Sequence, residues 1–352
     1  MAHSNHEPDD FELGLDTFGD MTLAVDGQAK PAAQVIRDVV EQAVLADSLG
    51  LDYFGVGEHH RDDFAISAPD MVLAAIAGQT QRIRLGSAVT VLSSDDPLRV
   101  FQRFSTLDAV SNGRAEVTLG RGSFTESFPL FGLDLSQYEE LFEEKLELFA
   151  EARKQGPVTW SGKTRPALAD QMVYPHLESG TLKAWVAVGG SPQSVVRAAR
   201  YGLPLMLAII GGEPLQFAPF TDLYHRALKE FGLPEQPIGV HSPGHIGETD
   251  EQAMEELWPH YAAMHNRIGR DRGWPPLTRA QFNATAGPDG ALVVGSPQTV
   301  AAKITRVAKA LGLSRFDLKY SHGTLPHTAM LRSIELYGTQ VAPLVRANLR
   351  QG

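Results

Sequence analysis

Short apolar runs alternate with longer amphipathic stretches from Phe11 almost to the C-terminus, and this rhythm constrains the fold more than any other feature. Phe11–Asp16 reads as a strand and Gly19–Gly27 as a loop. Pro31 then opens a helix whose apolar positions Val35, Val39, Ala43, Ala46 and Leu49 recur at spacings of three and four. Gly50 stops that helix, as a glycine just past a helix end commonly does. The unit repeats with strand Asp52–Val56 and helix Pro69–Thr80, then strand Ile83–Leu92 and a helix opened by Asp96-Pro97. A fourth strand, Arg114–Leu119, precedes a helix expected from Ser136, with Glu139 completing a capping box and Tyr138, Leu141, Phe142, Leu146 and Phe149 facing inward. Between Gly156 and Lys183 the rhythm loosens, and Val158–Trp160 and Met172–Tyr174 read as a small hairpin. Ala184–Val188, Leu205–Ile210, Ile238–Val240 and Phe316–Lys319 resume the series.

About eight strand-then-helix units select a parallel sheet with helical crossovers, and over this length the sheet closes most naturally into a (β/α)8 TIM barrel. Insertions are expected after strands 4 and 7. Residues 11–350 are read as one barrel domain behind a disordered tail, 1–10. An open doubly wound sheet is the structural alternative. It fails at Gly55-Val56-Gly57-Glu58-His59-His60, where bulky residues replace the third glycine of a dinucleotide-binding turn. Residues 269–290, rich in glycine and proline, read as a long loop, either a lid over the barrel mouth, which is the favoured reading, or a disordered segment.

Composition narrows the function. The chain has no cysteine, which excludes disulfides, thiolate metal sites and a cysteine nucleophile. Its net charge of -11 argues against nucleic acid as a partner, because phosphate binding needs a basic footprint. No stretch reaches the roughly 18 apolar residues of a membrane span, and the acidic start lacks a signal-peptide pattern, so a cytoplasmic location is expected.

Chemistry in such a barrel is expected in the loops after strand C-termini. The second strand runs into Gly57-Glu58-His59-His60-Arg61-Asp62-Asp63. Adjacent histidines on an extended chain point to opposite faces, so His59 and His60 do not easily share one metal ion. One of them facing the barrel axis as a proton donor or acceptor is the sharper reading, and two hydrogen-bonded packing residues the blander one. In Gly120-Arg121-Gly122-Ser123 the glycines let backbone approach an anion that Arg121 could clamp; a plain turn with a surface arginine would look the same. Gly189-Gly190-Ser191-Pro192-Gln193-Ser194 opens a helix with backbone N–H groups and two hydroxyls free for a phosphate. Gly295-Ser296-Pro297-Gln298-Thr299 nearly copies it, and one copy could be simple helix capping. The small residues of Gly86-Ser87-Ala88-Val89 leave room for a flat ligand, or else form a tightly packed core layer.

Taken in order, Gly57–His60, Arg82–Leu92, Asp96–Arg99, Leu107-Asp108, Ser111–Arg114, Gly120–Gly122 and Gly189–Ser194 resemble the bacterial luciferase-like flavin-dependent monooxygenases. The resemblance runs from Phe11 to about Arg346 and is carried by the order of the pieces, none of which is specific alone. It implies an FMN-type flavin across the barrel mouth and a non-proline cis peptide beneath it in the Ala88-Val89 region. It further implies Arg121, Gly122, Gly189, Gly190, Ser191 and Ser194 around the flavin phosphate, with Ser87, Ala88 and Val89 under the ring, which favours the first Gly-Ser-Pro copy. His59, with Glu58 beside it, matches the family's active-site histidine. Gly120 stands where luciferases carry a reactive cysteine, so light emission is not implied. The activity implied is oxygenation of a small organic substrate with O2 and reduced FMN from a separate NAD(P)H:flavin reductase, by a homodimer or higher homo-oligomer. Relatives using coenzyme F420 for hydride transfer make that the alternative, and a non-catalytic flavin-binding protein is a third.

Overall fold

The computed structural model describes residues 11–24 and 27–351; the expected tail, 1–10, lies outside the described residues. Eight parallel strand positions close on themselves. β1 (Glu12–Thr17) is followed around the barrel by β2 (Tyr53–Val56), β3 (Arg84–Ser87) with its continuation β4 (Thr90–Val91), and β5 (Ala115–Gly120). β8 (Lys183–Val188), β9 (Leu205–Ala208), β10 (Ile238–Ile246) and β12 (Arg315–Lys319) complete the circuit, with β12 back against β1. The helices α1 (Ala32–Ser48), α2 (Pro69–Ala77), α3 (Pro97–Ser111), α5 (Tyr138–Ala152), α6 (Pro192–Arg200), α7 (Ala218–Glu230), α10 (Pro297–Leu311) and α11 (His327–Leu336) form the outer layer, and α12 (Ala342–Arg350) packs on α10. The fold is the expected (β/α)8 barrel.

Each strand alternates, and the two faces do different work. Leu13, Leu15, Phe54, Val56, Leu85, Val117, Leu119, Val186, Leu205, Leu207, Val240, Phe316 and Leu318 join the apolar core that the helices cover. Register places the intervening residues in layers on the other face. Gly14 aligns with Asp317 and Tyr53, and Asp16 with Lys319 and Gly55. The lowest layer is a buried charge cluster. Arg315 donates to Glu116 at 2.7 Å and to Asp317 at 2.9 Å, and its guanidinium lies 3.4 Å from the centroid of Tyr53. Burial alone would raise the Glu116 carboxyl, but Arg315, Lys183 and Arg84 outweigh it and hold the group well below the usual carboxylate range.

Four local expectations need correction. The third strand is not continuous to Leu92; it breaks at a cis peptide between Ala88 and Val89. No capping box starts at Ser136. Asp134 caps a short 3-10 turn, Leu135–Gln137, by accepting from the Ser136 N–H at 2.9 Å, α5 starts only at Tyr138, and Glu139 pairs with Arg121 and Arg197 instead of capping the helix start. The small hairpin pairs β6 (Val158–Trp160) with β7 (Leu168–Gln171), so its second strand precedes Met172. The segment 269–290 is not a structureless loop: α8 (Asp250–Arg272) runs into it, and α9 (Arg279–Ala286) fills much of the rest. Gly273 caps α8 in the left-handed conformation, and a satellite apolar cluster of Ala253, Leu257, Phe282, Ala286, Leu292 and Val294 fastens α9 and the short strand β11 (Val293–Gly295) against α8.

Candidate active site

The floor of the barrel mouth is backbone. Tyr53 donates to the Ser87 carbonyl at 3.1 Å, Ser87 Oγ donates to the Thr118 carbonyl at 3.2 Å, and Thr90 Oγ1 donates to Ser87 Oγ at 2.9 Å. The Ser87 side chain is thus buried and committed to the neighbouring strand, while Ala88 and Val89 remain partly exposed. Around them side chains are missing by necessity. A Cβ on Gly57 would sit 2.7 Å from the Ala88 carbonyl oxygen, and one on Gly120 would sit 2.6 Å from Val89 Cγ2. This surface suits a flat ligand lying against Ala88-Val89.

The two adjacent histidines diverge. The His59 ring sits among Phe64 at 4.4 Å, Phe18 at 4.8 Å and Phe124 at 4.9 Å, with its Nδ1 3.7 Å from Glu126 Oε1. His60 turns to Glu58, Nε2 to Oε1 at 2.9 Å, and that bond raises its imidazole above the ordinary value against the effect of burial. Glu58 also accepts from the Val91 N–H at 3.1 Å, so it ties this loop to the strand beyond the cis peptide. Neighbours in sequence, Glu58 and His59 are not partners in space; the carboxylate facing His59 is Glu126, on the loop leading to the short helix α4 (Ser127–Leu130).

The two Gly-Ser-Pro turns also differ. At the first, Ser191 caps α6 by accepting from the Ser194 N–H, and its hydroxyl donates to Ser194 Oγ at 2.9 Å. A Cβ on Gly189 would meet nothing within 4 Å. Arg121 is drawn toward the same edge: it stacks on Tyr138 at 5.4 Å and pairs with Glu139, which also binds Arg197 of α6 at 3.2 Å. At the second turn the Asp250 carboxylate fills the helix start, accepting from the Ser296 N–H at 2.6 Å and from Thr299 Oγ1 at 2.9 Å.

The mouth is covered by the end of α8, whose last residues Asp271 and Arg272 belong to the segment 269–290 but are helical there. Arg61 pairs with Asp271 at 2.9 Å, Arg267 pairs with Asp62 and, at 3.2 Å, with Asp63, and Arg272 donates to the Ser123 carbonyl at 2.9 Å. Arg272 also stacks on Phe124 at 4.9 Å, beside His59. Between α8 and the loop after β2 opens a cleft of about 570 Å³ lined by His60, Arg61, Asp62, Arg267, Arg270 and Asp271.

A glycine-floored mouth, a histidine after β2 and an open helix start after β8 occur together here on a closed barrel. The family model for luciferase-like monooxygenases matches residues 17–315. The chain belongs to that family. A limonene 1,2-monooxygenase of Rhodococcus erythropolis is 26% identical over 333 residues, covering 89% of this chain and 82% of that protein. Among solved structures, monooxygenase RslO1 from Streptomyces bottropensis superposes with a TM-score of 0.81 at 23% identity, covering 94% of this chain and 99% of that one. The oxygenating constituent of 3,6-diketocamphane monooxygenase from Pseudomonas putida, in complex with FMN, gives 0.76 at 20%, covering 95% and 98%. The coenzyme F420-dependent tetrahydromethanopterin reductase of Methanopyrus kandleri gives 0.70 at 19%, covering 95% and 99%. These structures share the fold of this luciferase-like family member. No helix among the described residues is long and apolar enough to cross a membrane.

Sequence reasoning missed Phe18, Phe124, Asp16 and His241. Phe18 stacks on His241 at 6.1 Å and meets His59 edge-on, and Asp16 receives His241 Nδ1 at 2.7 Å. The available signal was a titratable residue inside each strand, Asp16 after Leu15 and His241 after Val240, on the face opposite the apolar positions.

Proposed function

We propose that this chain is the oxygenating component of a two-component monooxygenase that uses reduced FMN, O2 and a small organic substrate. Bound there, reduced flavin would supply the electrons that activate O2. The observation that carries the reading is the open start of α6, where Ser191, Ser194 and the unencumbered Gly189 offer hydroxyls and N–H groups to a phosphate, with Arg121 at the same edge. The backbone floor at Ala88-Val89, kept bare at Gly57 and Gly120, fits an isoalloxazine ring. The phenylalanine cage of His59 and the end of α8 would keep water from the reacting centre. A separate NAD(P)H:flavin reductase would deliver the reduced flavin, and the working form would be a homodimer or higher homo-oligomer.

F420-dependent hydride transfer is the second reading, favoured by the same serine turn, which suits either cofactor's phosphate, and by the fold shared with the F420-dependent reductase. Calorimetric titration with oxidised FMN, anaerobic reduced FMN and F420 separates them. Tight binding of reduced FMN, followed by O2 uptake on mixing with air-saturated buffer, is the expected result; selective binding of F420 sinks the monooxygenase reading.

A further inference from the structure

We infer that His241, held by Asp16, is the residue that holds and delivers a proton at Nε2 to the reacting oxygen, with Asp16 as its positioning residue. The inference rests on the monooxygenase reading above. Asp16 is the penultimate residue of β1 and His241 lies in β10, strands separated around the barrel only by β12, where Asp16 aligns with Lys319 and His241 with Asp317, both on the face opposite the helix-covered core. The Nδ1 hydrogen bond to Asp16 Oδ2, at 2.7 Å, is shorter than the 3.7 Å between His59 and Glu126. It places the neutral ring's proton on Nδ1 and leaves Nε2 as the second nitrogen. Among the described residues Nε2 has no hydrogen-bond partner, and 14% of the side chain is exposed. Asp16 is 1% exposed, so its charge is little screened by water where it faces the ring. Phe18 stacks on the same ring and separates it from His59, so the two histidines flank one phenylalanine at the mouth.

The chemistry needs such a group. Reduced FMN carried as its N1 anion, O2 and substrate become oxidised FMN, oxygenated substrate and water only if one proton is added beyond the one on flavin N5. His241 in its imidazolium form would give that proton from Nε2 and recover it from solvent. The groups facing it are Asp16 on β1 and Asp317 and Lys319 on β12. Burial opposes the charged ring, but Asp16 foremost, then Asp317, outweigh burial and Lys319, and the imidazole titrates above its ordinary value.

The test uses the whole chain and three forms: wild type, His241→Asn and Asp16→Asn. Imidazole nitrogen NMR between pH 5 and 9 should show wild-type His241 as the Nδ1–H tautomer, titrating above about 6.5, and Asp16→Asn should lower that midpoint and mix the tautomers. With reduced FMN bound anaerobically and then mixed with O2, His241→Asn should retain flavin affinity within threefold. Flavin reoxidation should slow by about 100-fold or more and lose the alkaline fall-off that wild type shows. Asp16→Asn should keep a fall-off displaced to lower pH. Normal flavin binding with an unchanged pH profile in His241→Asn overturns the proposal alone. A wild-type protein that binds neither reduced FMN nor F420 overturns the flavin reading and the proposal with it, while the NMR titration still reports whether the dyad exists.

Discussion

The turns at Gly189–Ser194 and Gly295–Thr299 are nearly the same peptide, yet they end in opposite states. Both place a serine at the N-cap and proline at the first helical position, and both present N–H groups along a helix axis. The second is neutralised from inside the protein: Asp250, the first residue of α8, lies between two helix starts and bonds to the Ser296 N–H and Thr299 hydroxyl. The first has its serines bonded to each other and open space beside Gly189. A helix start is an anion site only where the fold has not already supplied the anion.

The comparison can be broken by exchanging the two conditions. Ser191→Asp supplies the first turn with its own carboxylate while preserving a good N-cap. Reduced-FMN affinity, read by anaerobic calorimetry, should fall by about 10- to 100-fold, the worth of one or two charge-assisted hydrogen bonds, with the urea midpoint nearly unmoved. Next, Gly295→Ala should destabilise by about 2 kcal/mol: its φ is +150° and the new Cβ would lie 2.7 Å from Asp250 Oδ1. Gly189→Ala, with nothing within 4 Å, should cost little; equal losses in urea titrations would contradict the contrast. Asp250→Ala should lower unfolding free energy by about 1–2 kcal/mol without changing flavin affinity. The smallest effect is its pH signature. Burial would raise the Asp250 carboxyl, but the Ser296 N–H and the Ser296 and Thr299 hydroxyls hold it below the ordinary value. Its stabilisation is therefore present above about pH 4 and lost as pH falls through the depressed value. The gap between wild type and Asp250→Ala should narrow on acidification, and a constant gap down to pH 2.5 would show that the charge contributes nothing.

Much of the site was legible at the level of segments and little at the level of partners. The loops after the second, fourth and fifth strands were identifiable from clustered titratable and glycine residues: His59 and Arg121 follow β2 and β5, and Ser191 and Ser194 cap and open α6 after β8. Glu58 stands beside His59 in sequence but holds His60, its i+2 neighbour on the same side of the extended chain, and the carboxylate that meets His59 comes from Glu126, far along the chain and not locatable by local alternation. Asp16 and His241 are 225 residues apart, and nothing local in either strand announces the other. Residues 269–290 misled because glycine and proline mark chain direction changes, here a helix cap at Gly273 and the connection to α9, as readily as they mark a loop.

By itself the sequence determined the strand–helix rhythm, the barrel it closes into and the apolar face of each element, since these follow from periodicities of two and 3.6 acting within a few residues. Tertiary structure alone decided which of two matching turns stays open, which carboxylate meets which histidine and which helix end covers the mouth. Those outcomes depend on contacts such as Asp250 with Thr299, Asp16 with His241 and Asp271 with Arg61, formed only when the closed barrel brings distant strand ends to one rim.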